Sequence, residues 1–221
     1  MPKIFQKIKI IYQDPNFAIL FKPAGLKIHP SNLQEKKLTL VNWLLKEWPK
    51  IKNVGDYPEI RPGIVHRLDK DTTGLLIVAK NQKTFLKLKE KFKKRKIQKI
   101  YLAWVWGELK QKQGILKNYL IRNKKYALKM AIAKTKIIKS KLAILEYKTL
   151  KIIDNQSQVR IKLKTGRTHQ IRIQFKNLGH PVVNDRLYGF RKQKIIGNGQ
   201  LKLIAQGLGF SLSGKSYLFE I

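Results

Sequence analysis

Asp69 lies in a segment whose residue types suit both chemistry and burial. Residues 64–80 are IVHRLDKDTTGLLIVAK, and the aspartate precedes an uninterrupted apolar run at 75–79. Such a run between Gly and Lys is typical of a strand covered on both faces, although a buried helical turn has the same pattern; we favour a strand. Placing a carboxylate at the edge of a core costs desolvation free energy, which is tolerated where the charge is paired or has a function. A surface turn with a local ion pair explains the same residues, because turn carboxylates are common.

Two strands joined by a charged turn are therefore predicted within this segment. Ile64 and Val65 would begin the first strand, and residues 75–79 would form the second. Asp71 stands two residues after Asp69, so a hydrolase with paired carboxylates is one alternative. A structural role in the turn suits Asp71 better than a catalytic one.

A second segment, residues 163–189, is LKTGRTHQIRIQFKNLGHPVVNDRLYG. Its spacing predicts a helix that is capped by Thr165 or Thr168, runs through Leu178 and ends at Gly179, with Arg167 at its entrance. The side chains predicted to face inward are Ile171, Phe175 and Leu178. Those predicted to share another face are His169, Arg172 and Lys176. For Asp185 a turn or capping role is expected.

The histidines and the missing cysteines limit the available chemistry. The sequence has no Cys, which excludes disulfides, thiolate nucleophiles and cysteine-based zinc sites. The four histidines are His29, His66, His169 and His180. No two of them have the spacing of metal ligands with a supporting carboxylate, so no metal site is predicted.

Together the two segments resemble the RluA-type pseudouridine synthases. The shared motifs are HRLD at 66–69, GRTHQIR at 166–172, GHP at 179–181 and Asp-x-x-Tyr-Gly at 185–189, with KPAG at 22–25 and KIHP at 27–30. The resemblance runs from about residue 8 to the C-terminus. Two departures are Asn184, where the family usually has Gly, and the sequence 210–212, which lacks the His-Pro often found there. Both bear on which substrate is used rather than on the chemistry.

The resemblance implies an isomerase that detaches uracil from ribose at N1 and rejoins it through C5, with no cofactor. The family places its catalytic aspartate at the position of Asp69, to attack the anomeric carbon or to take a ribose proton; sequence leaves both open. By similarity Arg167 pairs with Asp69, although a phosphate contact at a helix start is the alternative. Tyr101, in QKIYLAW, matches the family's active-site tyrosine beside the target base. The residues expected to bind RNA are His66, Arg67, Thr168, His169 and Arg172.

The elements that must position these residues follow from periodicity and turn signals. A hairpin is predicted from the apolar stretches 7–12 and 17–21. Helices are predicted at 39–48 and after a cap at Asn81, with Phe85, Leu88 and Phe92 on one stripe. Strands are predicted at 99–107, 142–153, 158–163 and 216–221, and residues 114–133 are expected to form an extended, Lys-rich excursion.

This order favours an α+β fold, because strands and helices mix without a regular βαβ repeat. The resemblance implies the same: a central mixed, largely antiparallel sheet flanked by helices, with an active-site cleft across it. One catalytic domain is expected over residues 1–221, without the S4-like RNA-binding domain that many family members carry at the N-terminus.

The charge of the chain predicts a polyanionic partner. The 221 residues include 48 Lys and Arg against 13 Asp and Glu, a net charge of +35. Nucleic acid is the first candidate, and binding would depend strongly on salt. Part of the excess reflects a Lys-rich composition, since lysine occurs in every segment. A membrane surface is the competing partner, but no basic amphipathic helix with an aromatic face, membrane-length apolar run or signal-peptide core is found.

The leading prediction is a cytoplasmic, cofactor-independent RNA pseudouridine synthase that acts as a monomer on ribosomal or transfer RNA. A target uridine in a loop or bulge is expected, because proteins read RNA bases mainly where they are unstacked. The alternative from another class is a non-catalytic basic protein that binds RNA or the ribosome. The two hypotheses differ over Asp69, which only the enzyme requires.

Overall fold

The computed structural model describes residues 2–32, 34–126 and 128–221, which form a mostly antiparallel sheet structure with helices. The strands are β1 (Lys9–Gln13), β2 (Phe17–Lys22), β3 (Thr73–Ala79), β4 (Gln98–Trp106), β5 (Gln113–Arg122), β6 (Met130–Ala133), β7 (Lys141–Ile153), β8 (Gln156–Leu163), β9 (Leu203–Leu212) and β10 (Lys215–Glu220). The α-helices are α1 (Leu40–Glu47), α2 (Gln82–Lys93) and α3 (Gln170–Asn177). The predicted α+β class is therefore confirmed.

The chain divides into two compact units. Unit 1 comprises Met1–Ile97 and Ala205–Ile221, and unit 2 comprises Gln98–Ile204. Each unit has its own run of paired strands and its own buried side chains. The single catalytic domain expected over residues 1–221 stays a prediction.

Unit 1 is organised around strand β3. Its strands follow the order β1-β2-β3-β9, and β10 pairs with β9. The hairpin of β1 and β2 is antiparallel, as predicted. It is closed by Asp14, whose Oδ1 accepts the backbone N–H groups of Asn16 at 2.7 Å and Phe17 at 2.8 Å. Because β3 lies between β2 and β9, its apolar residues 75–79 are fully buried, which confirms the predicted central strand.

The predicted strand at Ile64 and Val65 is wrong. Ile64 makes an isolated bridge to Val78, and the residues that follow it up to the start of β3 form a loop. The physical reason is that β9 pairs with β3 on the side away from β2, so β3 has no free edge for a longer partner. Gly74 shows how close β9 comes: its φ is +115°, and a Cβ there would collide with the backbone of Ala205.

Both helices of unit 1 begin close to their predicted starts. The backbone N–H of Thr39 donates to Asn42 Oδ1 at 2.8 Å in front of α1. The predicted cap of α2 is confirmed, because Asn81 Oδ1 accepts the N–H of Thr84 at 2.9 Å. The inward stripe of α2 is confirmed at Phe85 and Leu88, which are both buried.

Unit 2 is built on strands in the order β4-β8-β7-β5-β6, with antiparallel pairing along the series. The predicted turn between β7 and β8 is confirmed and is shorter than expected. Asp154 and Asn155 have φ angles of +49° and +56°, the backbone of a two-residue type I′ turn, so β8 begins at Gln156. Residues 114–133 are not a simple excursion, because β5 and β6 pair as a hairpin. Their half-exposed faces carry too little apolar alternation to predict strands.

Helix α3 begins differently from its prediction and ends as predicted. Neither Thr165 nor Thr168 is the cap; the N-cap is His169, in the left-handed region at φ +53° and without a side-chain cap bond. Leu178 is exposed rather than inward, and Arg172, which was predicted to lie on another face, is buried. Leu178 is the C-cap, beyond the last helical residue, and Arg172 is buried in its ion pair with Asp185. The predicted end is confirmed by Gly179, which has a φ of +90°.

In the described part of the chain, no helix has the length and apolar character needed to cross a membrane.

Candidate active site

The predicted site residues are distributed over both units. Unit 1 holds His66, Arg67 and Asp69. Unit 2 holds Tyr101, Arg167, Thr168, His169 and Arg172. The ion pair of Asp69 with Arg167 stays a prediction, and the surroundings of each residue are therefore described within its own unit.

In unit 1 His66 fastens the loop that carries Asp69. Its Nε2 accepts the backbone N–H of Ile77 in β3 at 3.1 Å. Its ring stacks on Phe92 of α2, with the ring centroids 4.6 Å apart. Because a ring nitrogen that accepts a hydrogen bond carries no proton, the imidazole is neutral in this arrangement, with its proton on Nδ1. His66 thus connects the start of the loop to both β3 and α2.

The remainder of the loop alternates between burial and exposure. Leu68 is buried, whereas Arg67 is exposed and Asp69 is half-buried. The backbone oxygen of Asp69 accepts the N–H of Thr72 at 3.2 Å, which makes the turn into β3. The Leu68 side chain anchors the loop, so its two charged neighbours are held at the surface of unit 1. Such an arrangement presents a carboxylate on a rigid support.

Lys22 fastens the same loop from the other side. It is fully buried at the end of β2, and its Nζ donates to the carbonyl oxygens of Pro23 at 2.8 Å, Leu26 at 2.9 Å and Lys70 at 2.9 Å. The N–H of Gly25 donates to the same Lys70 oxygen at 2.9 Å. The KPAG motif is therefore hydrogen-bonded to Lys70, the residue that directly follows the HRLD motif in unit 1.

The electrostatics of Lys22 link it to Asp69. Burial lowers the pKa of Lys22 to about 7, and the carboxylates of Asp71 and Asp69 act in the opposite direction. The sequence alone assigned Lys22 no role beyond its place in the KPAG motif. The available signal was a lysine directly after the apolar strand FAILF, at a position where the chain was predicted to enter a loop.

In unit 2 Tyr101 occupies β4, where it lies opposite Ile161 of β8. It is 9% exposed, and its alternate neighbours Ala103 and Val105 are fully buried. This confirms the predicted strand. A tyrosine at this position has a backbone fixed by strand pairing and a mostly buried side chain.

Arg167 is held by a turn in front of α3. Its Nε donates to the backbone oxygen of Leu142 at 2.9 Å, and its backbone N–H donates to Gln170 Oε1 at 3.1 Å. The hydroxyl of Thr165 donates to the same Gln170 oxygen at 2.7 Å. Thr165 therefore fixes the turn through Gln170 instead of capping the helix directly, and Thr168 lies exposed within that turn.

Arg172 forms a buried pair with Asp185. Its Nε donates to Asp185 Oδ2 at 2.7 Å and its Nη2 to Asp185 Oδ1 at 2.8 Å. Oδ1 also accepts the N–H groups of Leu187 and Tyr188, each at 2.9 Å, which confirms the capping role predicted for Asp185. Both side chains are almost fully buried, whereas the sequence placed Arg172 on a face other than the inward one. The geometry gives Arg172 a positioning role within unit 2.

Tyr188 extends this network to the hairpin of β5 and β6. Its hydroxyl oxygen accepts the N–H of Met130 at 2.7 Å and lies 2.9 Å from His169 Nδ1. The Arg172 guanidinium stands over its ring, 5.3 Å from the centroid. The GRTHQIR and Asp-x-x-Tyr-Gly motifs are thereby joined. Sequence reasoning placed both motifs in one family but did not predict this contact.

Comparison with known proteins agrees with these motifs. The family model for RNA pseudouridylate synthase matches residues 16–177. An uncharacterized RNA pseudouridine synthase from Aquifex aeolicus is 37% identical over 225 residues, covering 97% of this chain and 69% of the relative. The chain belongs to the RNA pseudouridylate synthase family, as the resemblance predicted. An isomerase that acts on RNA is supported, and the non-catalytic alternative is not favoured.

Relatives with more specific names match a shorter share of their own length. The ribosomal large subunit pseudouridine synthase D of Borreliella burgdorferi is 40% identical over 182 residues, covering 82% of this chain and 55% of that protein. The protein of the same name from Pseudomonas aeruginosa is 38% identical over 185 residues, with 84% and 54% covered. The chain thus spans about half the length of these two relatives.

Solved structures show the same fold. The human RNA pseudouridylate synthase domain containing 1 superposes with a TM-score of 0.78 at 24% identity, covering 100% of this chain and 85% of that one. The human RNA pseudouridylate synthase domain containing 4 gives a TM-score of 0.75 at 21% identity, with 96% and 87% covered. At these identities the likeness establishes the pseudouridine synthase fold.

Proposed function

We propose that this protein converts specific uridines to pseudouridine in ribosomal or transfer RNA, as a cytoplasmic monomer without a cofactor. The observation that carries the proposal is the support of Asp69. His66 connects the loop of Asp69 to β3 through the hydrogen bond with Ile77. The Lys70 carbonyl connects the same loop to β2, because it accepts a hydrogen bond from Lys22 Nζ. Two anchors on a short loop suit a catalytic carboxylate, since its geometry must be fixed before substrate arrives.

The reaction proposed for Asp69 conserves all atoms of the nucleotide. The bond from ribose C1′ to N1 breaks, the base turns, and C1′ bonds to C5. The proton on C5 then leaves, and N1 gains a proton. The Asp69 carboxylate either attacks C1′ or removes a ribose proton, and both routes need its negative charge. No electrons are exchanged with a redox partner.

Arg167 and Tyr101 are proposed to complete the catalytic group. A guanidinium beside Asp69 would keep the carboxylate charged and oriented through two parallel hydrogen bonds. Tyr101 would lie against the target base, where its mostly buried ring provides a flat surface. His66, Arg67, Thr168, His169 and Arg172 remain the residues proposed to contact or position the RNA.

Ribosomal RNA is the preferred substrate class. The names of the Borreliella burgdorferi and Pseudomonas aeruginosa relatives refer to the large ribosomal subunit. The net charge of +35 favours a long polyanion, whose affinity should fall steeply as salt is raised. Mapping modified uridines in cells with and without the gene would identify the target.

The test of the proposed function is the Asp69→Asn variant, which keeps the shape of the side chain and removes its charge. We expect single-turnover tritium release from C5-labelled uridine to fall by orders of magnitude, on RNA from cells that lack the enzyme. RNA affinity should hold or rise slightly, because a negative charge is removed from a basic protein.

Asp71→Asn is the matched control, because Asp71 is an exposed carboxylate two residues away in the same loop. It should retain most of the tritium release. Release by Asp69→Asn at the wild-type rate would refute the assignment of Asp69. Equal losses in both variants would instead favour a pair of acting carboxylates.

A further inference from the structure

A cationic cavity lies in unit 2, between the GRTHQIR motif and residues of β5, β6 and β7 that no motif includes. Its volume is about 310 Å³, which is within the range of small-ligand sites. Arg122 at the end of β5, Lys139 and Lys141 before and in β7, and Arg167 before α3 contribute to its lining. No carboxylate is among the described residues that line it. Three separate segments therefore bring four cations to one cavity.

A cluster of this kind attracts anions. Several positive charges around one cavity raise the local positive potential, which favours a bound anion. Arginine forks suit the tetrahedral oxygens of a phosphate, and lysines add charge with flexible reach. The exposed turn at Gly166 and Thr168 completes the same lining and leaves the cavity open to an extended ligand.

The backbone at Lys139 supports a dedicated role. Its φ is +68°, a left-handed conformation that glycine or asparagine normally takes. The turn is closed by Ser140, whose backbone N–H donates to the Ile137 oxygen at 3.0 Å and whose Oγ donates to the same oxygen at 2.6 Å. The Ile137 N–H donates to Ser140 Oγ at 3.0 Å. A lysine held in a conformation suited to glycine points to a use for its side chain.

We propose that this cavity, here called the phosphate pocket, binds a backbone phosphate of the RNA substrate. The inference rests on the proposed function for the identity of the ligand, and on the four cations and the strained Lys139 for the site itself. Arg167 lines the pocket and is also proposed to act at the target uridine. The bound phosphate therefore belongs to a nucleotide close to that uridine along the strand. In this proposal the β5–β6 hairpin and the loop that follows it position the RNA, in addition to connecting β5 to β7.

The test compares two charge-matched double variants. The pocket variant combines Lys139→Gly with Lys141→Gln. The control combines Lys110→Gln with Lys112→Gln, two exposed lysines that lie between β4 and β5 in the same unit. Binding of a fluorescein-labelled RNA hairpin to the full chain is followed by anisotropy over a series of NaCl concentrations.

We expect the pocket variant to lose affinity about tenfold and the control less than about threefold, with the salt slope falling by roughly 1 to 2 in the pocket variant. Thermal unfolding of Lys139→Gly alone should occur at the same or a higher temperature, because glycine adopts a positive φ without strain. A gain in stability with a loss of RNA affinity would distinguish a binding role from a structural one. Equal affinity losses in the two double variants would overturn the proposal.

Two further measurements complete the test. Inorganic phosphate should displace the hairpin from the wild-type protein better than NaCl at the same ionic strength, and this advantage should be lost in the pocket variant; an equal advantage in both proteins would overturn the assignment of a phosphate to this pocket. If the pocket variant fails to fold, the single variant Lys141→Gln replaces it in the comparison with the control. Binding is measured without turnover, so a wild-type protein that binds through the pocket but releases no tritium would refute the proposed function and leave the phosphate pocket standing.

Discussion

Among the described residues each unit buries one long cation, and the two cations have different hydrogen-bond partners. In unit 1 Lys22 donates to three backbone carbonyls at 2.8 to 2.9 Å. In unit 2 Arg172 pairs through two nitrogens with a carboxylate, Asp185, at 2.7 and 2.8 Å. Both cations connect motifs that are distant in sequence, so each holds its unit's part of the site in shape.

The difference follows from the acid–base chemistry of the two side chains. A buried lysine can lose its proton, and burial lowers the pKa of Lys22 to about 7. A guanidinium stays charged in proteins, so a buried arginine needs a carboxylate partner with good geometry. The lysine link should therefore respond to pH, and the arginine link should respond to loss of its partner.

Replacing Asp185 by Asn should have the largest effect on stability. It leaves Arg172 buried without an opposing charge, which costs about 3–5 kcal/mol of the free energy of unfolding. Urea denaturation measures the loss. Asp56→Asn is the control, because its salt bridge with Lys89 is partly exposed and should cost about 0–1 kcal/mol. Similar losses in the two variants would show that the buried pair is no stronger than a surface one.

Arg172→Lys should lower the free energy of unfolding by about 2 kcal/mol, because one ammonium cannot hold both oxygens of Asp185 as the guanidinium fork does. The charge is kept, so the loss reports geometry rather than electrostatics. Arg191→Lys, at an exposed position, should be neutral in the same denaturation experiment. Unchanged stability of the Arg172 variant would mean that the two-point contact is dispensable.

Lys22→Met should change how stability depends on pH. The pKa of Lys22 is about 7 in the folded protein and near 10.5 when unfolded, so between these values the unfolded chain binds the extra proton. The wild-type free energy of unfolding should therefore rise with pH in this window, by about 1 kcal/mol per pH unit relative to the variant. Below about pH 7 Lys22 is charged in both states, and its burial cost is complete. Parallel pH curves for the two proteins would contradict the lowered pKa.

Asp71→Asn should have a smaller effect than Lys22→Met, a shift of that pH window. The carboxylate of Asp71 raises the pKa of Lys22 more than the carboxylate of Asp69 does. Its removal should lower the pKa of Lys22, so the free energy of unfolding should begin to rise at a lower pH. The same series of pH-dependent denaturation curves measures the shift. Asp69→Asn should shift the onset in the same direction by less. An onset that moves to higher pH would show that these carboxylates do not act on Lys22.

Local signals explain which elements could be predicted. The β1–β2 hairpin, the Asn81 cap of α2 and the end of α3 at Gly179 each depend on contacts between residues a few positions apart. The wrong predictions depend on partners far along the chain. The strand at Ile64 is displaced because β9 takes the edge of β3, and α3 starts late because the turn before it is held through Gln170.

The same division holds for the candidate site. Its motifs are continuous in sequence, so residue order alone determined the family, the α+β class and the choice of Asp69, Tyr101 and Arg167 as site residues. The burial of Lys22 beneath the HRLD loop and the pairing of Arg172 with Asp185 were decided only by the tertiary structure. Whether a long charged side chain is buried, and with which partners, depends on the carbonyls and carboxylates that the fold brings close to it. Residue type and spacing along the chain do not contain that information, because the free energy of burying a charge is set by neighbours in space.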